Sequence, residues 1–169
     1  ISVERMTDTG ATDLTWPGFL PLTTSLASIV LDGSTQEGNW CGPFAACPDG
    51  ELTTAIEWDV MFPGGLIGID KKGRSYPLGV TVEVQYRDIE AAGAWTSISR
   101  YYQATTMDQL GYTESAVLPY AMRAEVRMRR IGAESTSTQQ QDEVQWYGLR
   151  SRLNGPTSYE GVTVLAMRV

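Results

Sequence analysis

Val80-Thr81-Val82-Glu83-Val84-Gln85-Tyr86-Arg87 alternates apolar and polar side chains without a break. Successive side chains of a β-strand point to opposite faces, so this spacing predicts a strand with one buried and one solvated face. Upstream, Ile56, Trp58, Val60 and Phe62 alternate in the same way with Ala55, Glu57, Asp59 and Met61, and Pro63-Gly64-Gly65 ends that run. Between the two, Asp70-Lys71-Lys72-Gly73 reads as a hairpin turn. It lacks the alternating oxygen ligands of a calcium loop. Downstream, Ala91-Ala92-Gly93 turns into a short strand, Trp95-Thr96-Ser97-Ile98-Ser99. Residues 105–110 are expected to begin one short helical turn, with Thr105 or Thr106 as N-cap. A strand near 115–118 is expected to stop at Pro119. Then Met122, Ala124, Val126 and Met128 alternate with Arg123, Glu125, Arg127 and Arg129. The stretch 132–141, rich in Ser, Thr and Gln, reads as a loop. Val144, Trp146 and Gly148 alternate with Gln145 and Tyr147, and 162–169 forms a last β-rich run expected to pair within the sheet.

Many strands at turn-punctuated spacing, with little or no helix, predict an all-β antiparallel sandwich. Alternation in place of continuous apolar runs excludes a doubly wound parallel sheet. Trp58 and Trp146 fall on the apolar faces and are expected in the core. Residues 1–38 carry Thr, Gly, Ser and Pro punctuation around one apolar run ending at Asp32-Gly33. They read as an N-terminal arm with one or two strands, and 39–169 as the sandwich domain.

The chain has 169 residues, no histidine and a formal net charge of −7. Its pI near 4.6 argues against a nucleic-acid surface, which needs a basic stripe. The lack of histidine removes His-based acid/base and nucleophile systems and His-ligated metals. No apolar run is long enough to span a bilayer as a helix, so no membrane insertion is expected. Ile1 in place of Met suggests a piece of a longer chain. Cys41 and Cys47 bracket Gly42-Pro43-Phe44-Ala45-Ala46. A bridge and two thiols are both open to them, and the lack of any other disulfide framework favours thiols. No metal or cofactor is implied.

Glu57 and Asp59 share a strand face and form a candidate carboxylate pair, as do the adjacent Asp142 and Glu143. Alternation alone puts acids outside, so a solvated strand face and a charged loop are the plainer expectation. Arg123, Arg127, Arg129 and Arg130 form the one basic cluster. In a negatively charged chain it is expected to pair with acids such as Glu57 or Glu83 on neighbouring strands, and not to grip a phosphate. Trp16, Trp40 and Trp95 flank turns and are the candidate surface contacts, for instance as platforms on which a sugar ring stacks.

Several blocks then occur in a recognisable order. They are Trp40-Cys41-Gly42-Pro43-Phe44, the run from Ala55 through Phe62 to Pro63-Gly64-Gly65-Leu66, and Val82-Glu83-Val84-Gln85-Tyr86-Arg87. Arg123-Ala124-Glu125-Val126-Arg127-Met128-Arg129-Arg130, Asp142-Glu143-Val144-Gln145-Trp146-Tyr147-Gly148-Leu149-Arg150 and the run from Ser158 to Val169 follow. In these blocks the chain resembles a module of the tail-tip (host-specificity) protein J family of long-tailed bacteriophages. The resemblance implies a fibronectin-type-III-like sandwich in or beside the hub of a larger protein, trimeric when full-length. It implies partners among other tail-tip and baseplate proteins, and a host surface receptor for the whole assembly. It also implies a place at the distal tail tip of the virion after synthesis in the host cytoplasm. It assigns no catalytic residue, so a non-enzymatic structural role is expected. The rival is a carbohydrate- or receptor-binding sandwich using Trp16, Trp40 or Trp95, and a third is a glycan-cleaving carboxylate pair.

Overall fold

The two strands that decided the sequence reading, Thr53–Phe62 (β5) and Leu78–Asp88 (β8), lie in opposite layers. The computed structural model describes residues 2–6, 22–24, 28–33, 39–153 and 164–168, and its named elements are all strands. One layer runs Cys41–Ala45 (β4), Ala124–Ile131 (β11), β8 and Thr96–Ala104 (β9). The other runs Leu110–Met122 (β10), β5, Gln145–Leu153 (β13) and Leu22–Thr24 (β2), with Ile29–Val30 (β3) also on β13. Every pairing is antiparallel. Of the connections within this sandwich, only β8–β9 is a simple hairpin. β4 to β5, β9 to β10, β10 to β11 and β11 to β13 all change layer, so the core is closed by strands distant in sequence.

The core is the set of side chains that the alternation turns inward. Ile56, Trp58, Val60 and Phe62 from β5 meet Val80, Val82 and Val84 from β8 and Ala124, Val126 and Met128 from β11, all essentially without solvent contact. Trp58 and Trp146 are both 0% exposed, as expected. Phe44 of β4 meets the edge of Trp146 at 5.5 Å between centroids, joining the layers at one side. At the other side Phe62, Tyr102 and Tyr112 cluster at 4.8–6.1 Å. There Arg100 Nε of β9 donates to Glu114 Oε2 of β10 at 2.9 Å, an ion pair that spans the two sheets. Burial and the neighbouring Glu114 charge push the Tyr102 hydroxyl well above the usual tyrosine range.

Several local expectations are corrected. No helical turn forms at 105–110. Instead Thr106 and Leu66 exchange backbone hydrogen bonds of 3.0 and 3.1 Å, an isolated bridge that claims the carbonyl with which a helix would start. Gly65 permits it. Its φ is +73°, and a Cβ there would stand 2.2 Å from the Thr106 carbonyl oxygen. β10 does not stop at Pro119 but runs on to Met122 after a register shift past Val117, because an edge strand tolerates the lost amide. The 132–141 loop contains one short strand, Gln140–Gln141 (β12), paired with Ile67–Ile69 (β6). β6 also pairs with Ser75–Tyr76 (β7) around the expected Asp70 turn. There the Asp70 carboxylate accepts the Arg74 amide, the Arg74 guanidinium and the Lys72 amide, which hold its pKa below the usual range. Of the run 162–169, Val164–Arg168 (β14) is a strand. It pairs with Ser2–Met6 (β1) in a separate two-stranded sheet and not with the sandwich sheets.

Candidate functional site

On the outer face of the four-stranded sheet, β11 and β8 pair without a register shift from Ala124–Asp88 to Ile131–Thr81. That register sets outward residues directly opposite one another. Arg129 meets Glu83 (2.7 Å), Arg127 meets Gln85 (2.6 and 2.9 Å), and Glu125 meets Arg87 (2.5 Å). The two turn tryptophans lie over this row. The Arg127 guanidinium carbon is 4.3 Å from the Trp40 ring centroid and 4.0 Å from that of Trp95. Arg129 stacks on Trp40 at 4.3 Å and Arg87 on Trp95 at 4.4 Å. The result is an alternating series, Arg87, Trp95, Arg127, Trp40, Arg129, running across the sheet. Burial, together with the charges of Arg87 and Arg129, lowers the Arg127 pKa. The ring quadrupoles and the Gln85 carbonyl hold the cation there.

This arrangement brings together two of the three candidate contact residues. Trp40 is buried at 8% exposure and Trp95 is half-buried, and each ring is stacked on by two guanidiniums. Little ring face is left for a sugar. Trp16 lies outside the described residues. The arginine cluster behaves largely as expected. Arg129 takes Glu83 and Arg123 takes Asp49 at 2.7 Å. Glu57 pairs elsewhere. Arg130 points inward, is nearly buried, and holds Asp142 through its side chain and its backbone carbonyl, pinning the 132–144 segment to the sandwich.

The outer face of the other sheet is built on a bulge. β13 pairs Trp146 with Val60 but Gly148 with Asp59, so one extra residue enters at Tyr147. The bulge reverses the alternation. Leu149 and Ser151 then point inward, and Arg150 and Arg152 point outward beside Asp59 and Glu57. A Cβ at Gly148 would stand 2.7 Å from Asp59 Oδ2, so a larger residue there would displace that carboxylate. Arg150 donates two bonds of 2.6 Å to Asp59, Thr113 Oγ1 donates a third, and Arg152 Nε donates to Glu57 at 2.8 Å. The Arg150 pKa is raised, first by its hydrogen bonds to Asp59. The expectation of a solvated acidic face is therefore corrected. Glu57 is only 8% exposed, and both acids are matched by arginines supplied by the bulge. Asp142 is likewise taken, by Arg130 and the Ser135 amide, and is not an open member of a pair with Glu143.

The surface of the described residues carries at least two depressions. One, of about 360 Å³, is lined by Asp59, Met61, Gly111, Tyr112, Tyr147 and Arg150, among others. Tyr147, half-exposed, forms its wall; sequence reading missed this residue, although a glycine inside a strand pattern at 148 signals a bulge. The other, about 260 Å³, is acidic, with Glu134, Asp142 and Glu143. Burial there pushes the Glu134 carboxyl up, partly offset by Arg130. Cys41 and Cys47 are free, buried thiols whose pKa values burial raises. Among the described residues no three acidic or thiol side chains gather as a metal cage.

Fold and faces together define a structural β-sandwich module of fibronectin type III form. Residues 48–155 match the family model described as tip attachment protein J, FNIII-A domain, and the chain belongs to that family. It is thus a module of a phage tail-tip protein J, a component of the virion tail. No curated protein matches the chain.

Proposed function

We propose that this module is a non-enzymatic building block of the distal tail tip, docking against neighbouring tail-tip and baseplate proteins and thereby contributing to tail-tip assembly and host attachment. The observation that carries the reading is the mutual neutralisation of its functional-looking side chains. Glu57 and Asp59 are held by Arg150 and Arg152, and Trp40 and Trp95 are stacked by arginines. Groups bonded to one another in this way stiffen a sheet and set register against a partner; a catalytic acid or base needs a free proton position. In this reading the protein is made in the host cytoplasm and acts within a virion, as part of a larger chain. Glycan contact is the rival, and one observation favours it: the half-exposed Tyr147 ring beside the Asp59–Arg150 pair. A glycan array and a polysaccharide-release assay on the purified chain separate the two. No hit and no released product are expected. A reproducible hit lost in Tyr147→Ala would establish the rival, and release lost in Asp59→Asn would establish an enzyme.

A further inference from the structure

The stacked row on the four-stranded sheet is one carboxylate short. Arg129 has Glu83 opposite and Arg87 has Glu125, but the rung between them sets Arg127 against the neutral Gln85. The flanking strands do not make up the difference. β4 has no charged residue, and the one arginine of β9, Arg100, turns to Glu114 in the opposite sheet. Three guanidiniums therefore face two carboxylates, a local positive excess on a chain of net charge −7. The Gln85 amide nitrogen faces Ser97 Oγ at 2.6 Å and Glu83 Oε1 at 3.3 Å, which turns its carbonyl to Arg127. That carbonyl takes the Arg127 Nε and Nη2 donors, at 2.9 and 2.6 Å, along one edge of the guanidinium. A guanidinium donates along more than one edge. The end-on edge, Nη1 with the second hydrogen of Nη2, has no acceptor among the described residues, and Nη1 is not sealed from solvent. The Trp40 and Trp95 rings, at 4.3 and 4.0 Å, hold the plane of the group, so this edge is oriented in advance.

We propose that the open edge of Arg127 binds the carboxylate of an aspartate or glutamate side chain on a neighbouring tail protein. Charge complementarity selects the occupant. A single carboxylate brings the row to neutrality and matches the two parallel N–H groups of the fork. A dianion such as sulfate overshoots the missing charge and stands against Glu83 and Glu125, while Arg87 and Arg129 are already engaged. A sugar finds little open ring face here, and an apolar side chain leaves the charge unmatched. The carboxylate enters in the plane of the guanidinium, so neither ring has to move. The site gives the docking reading a point of contact and rests on that reading only for the source of the carboxylate.

NMR of the isotope-labelled 169-residue chain tests this, with the Trp40 and Trp95 indole N–H signals and the Arg127 Nε–H as reporters. Sodium acetate is titrated against sodium chloride at equal ionic strength, followed by a blocked peptide with one central glutamate and by its glutamine analogue. Saturable shifts are expected with acetate and with the glutamate peptide, and none with chloride or the glutamine peptide. Arg127→Lys keeps the charge without the fork and is expected to lose the indole response. Gln85→Glu supplies a carboxylate from within the sheet and is expected to lose it too; either variant suffices if the other fails to fold. No response to acetate, an equal response to chloride or the glutamine peptide, a stronger response to sodium sulfate, or an undiminished response in a folded variant would each overturn the proposal. Such a failure leaves docking through other surfaces standing. A glycan-array hit lost in Tyr147→Ala removes the docking reading and leaves the acetate response in place, so the two failures are told apart.

Discussion

The two outer faces of the sandwich use the same residue types to different ends. On the four-stranded sheet, an unbroken register places arginines and acids directly opposite, and two tryptophans from turns cover the row. On the β10–β5–β13 sheet a bulge brings two arginines onto two acids in the middle, while the rim at Gly111, Tyr147 and Val117 stays open. The first face is closed over itself and the second is closed only at its centre. Charge pairing alone does not decide whether a β-face is available to a partner; the decisive features are what covers the pairs and whether the outermost strand has a neighbour.

The core beneath both faces sets the scale for testing that contrast. Trp58→Ala or Trp146→Ala is expected to cost about 3–5 kcal/mol in denaturant unfolding, because each removes a fully buried indole. Wild-type-like unfolding of either variant would contradict the strand phase on which both faces depend. Arg150→Ala comes next, at about 2 kcal/mol, since it leaves the nearly buried Glu57 to Arg152 and the partly buried Asp59 to the Thr113 hydroxyl; the figure stays below the 3–5 kcal/mol of a fully buried pair because Arg150 is partly solvated. Chemical denaturation of Arg150→Ala and of the double variant with Asp59→Asn checks it. The double variant should recover part of the loss. On the closed face, Arg127→Ala is expected to cost about 1 kcal/mol, the scale of a partly desolvated cation–π contact, and to change Trp40 and Trp95 fluorescence. An unchanged emission spectrum would mean that the stack does not persist in solution.

The smallest effect concerns the acidic depression. Burial raises the folded Glu134 pKa, so the folded chain holds that proton to higher pH than the unfolded chain does. Stability is then lost as pH rises through this window and stays lower above it. Glu134→Gln should therefore be slightly more stable than wild type at neutral pH. It should match wild type in acid below the ordinary carboxylate range, as paired urea titrations at the two pH values would show.

The strands carrying the family blocks were legible because alternation is a local property. At Val80, Val82, Val84 and Tyr86, and at Ile56, Trp58, Val60 and Phe62, side-chain period and burial coincide, and no distant residue is needed to set the phase. Thr106 was misread because its bonding partner, Leu66, is a bridge away across the chain, and N-cap chemistry at a threonine looks the same in sequence whether or not a helix follows. The helical turn lost to a tertiary hydrogen bond. The same applies to the candidate site. Sequence singled out Trp40, Trp95, Glu57, Asp59 and the Arg123, Arg127, Arg129 and Arg130 cluster, but not Arg150, Arg152 or Tyr147, whose places depend on the bulge in β13.

By itself the sequence determined an all-β sandwich, the members of its core, and the absence of any histidine chemistry, because composition and two-residue period are written into the chain. Only the tertiary structure decided which arginine meets which acid, that Trp40 and Trp95 share Arg127, and that Tyr147 is pushed out by a bulge. A one-residue change of register turns every following side chain to the other face, and register is fixed where strands from opposite ends of the chain meet.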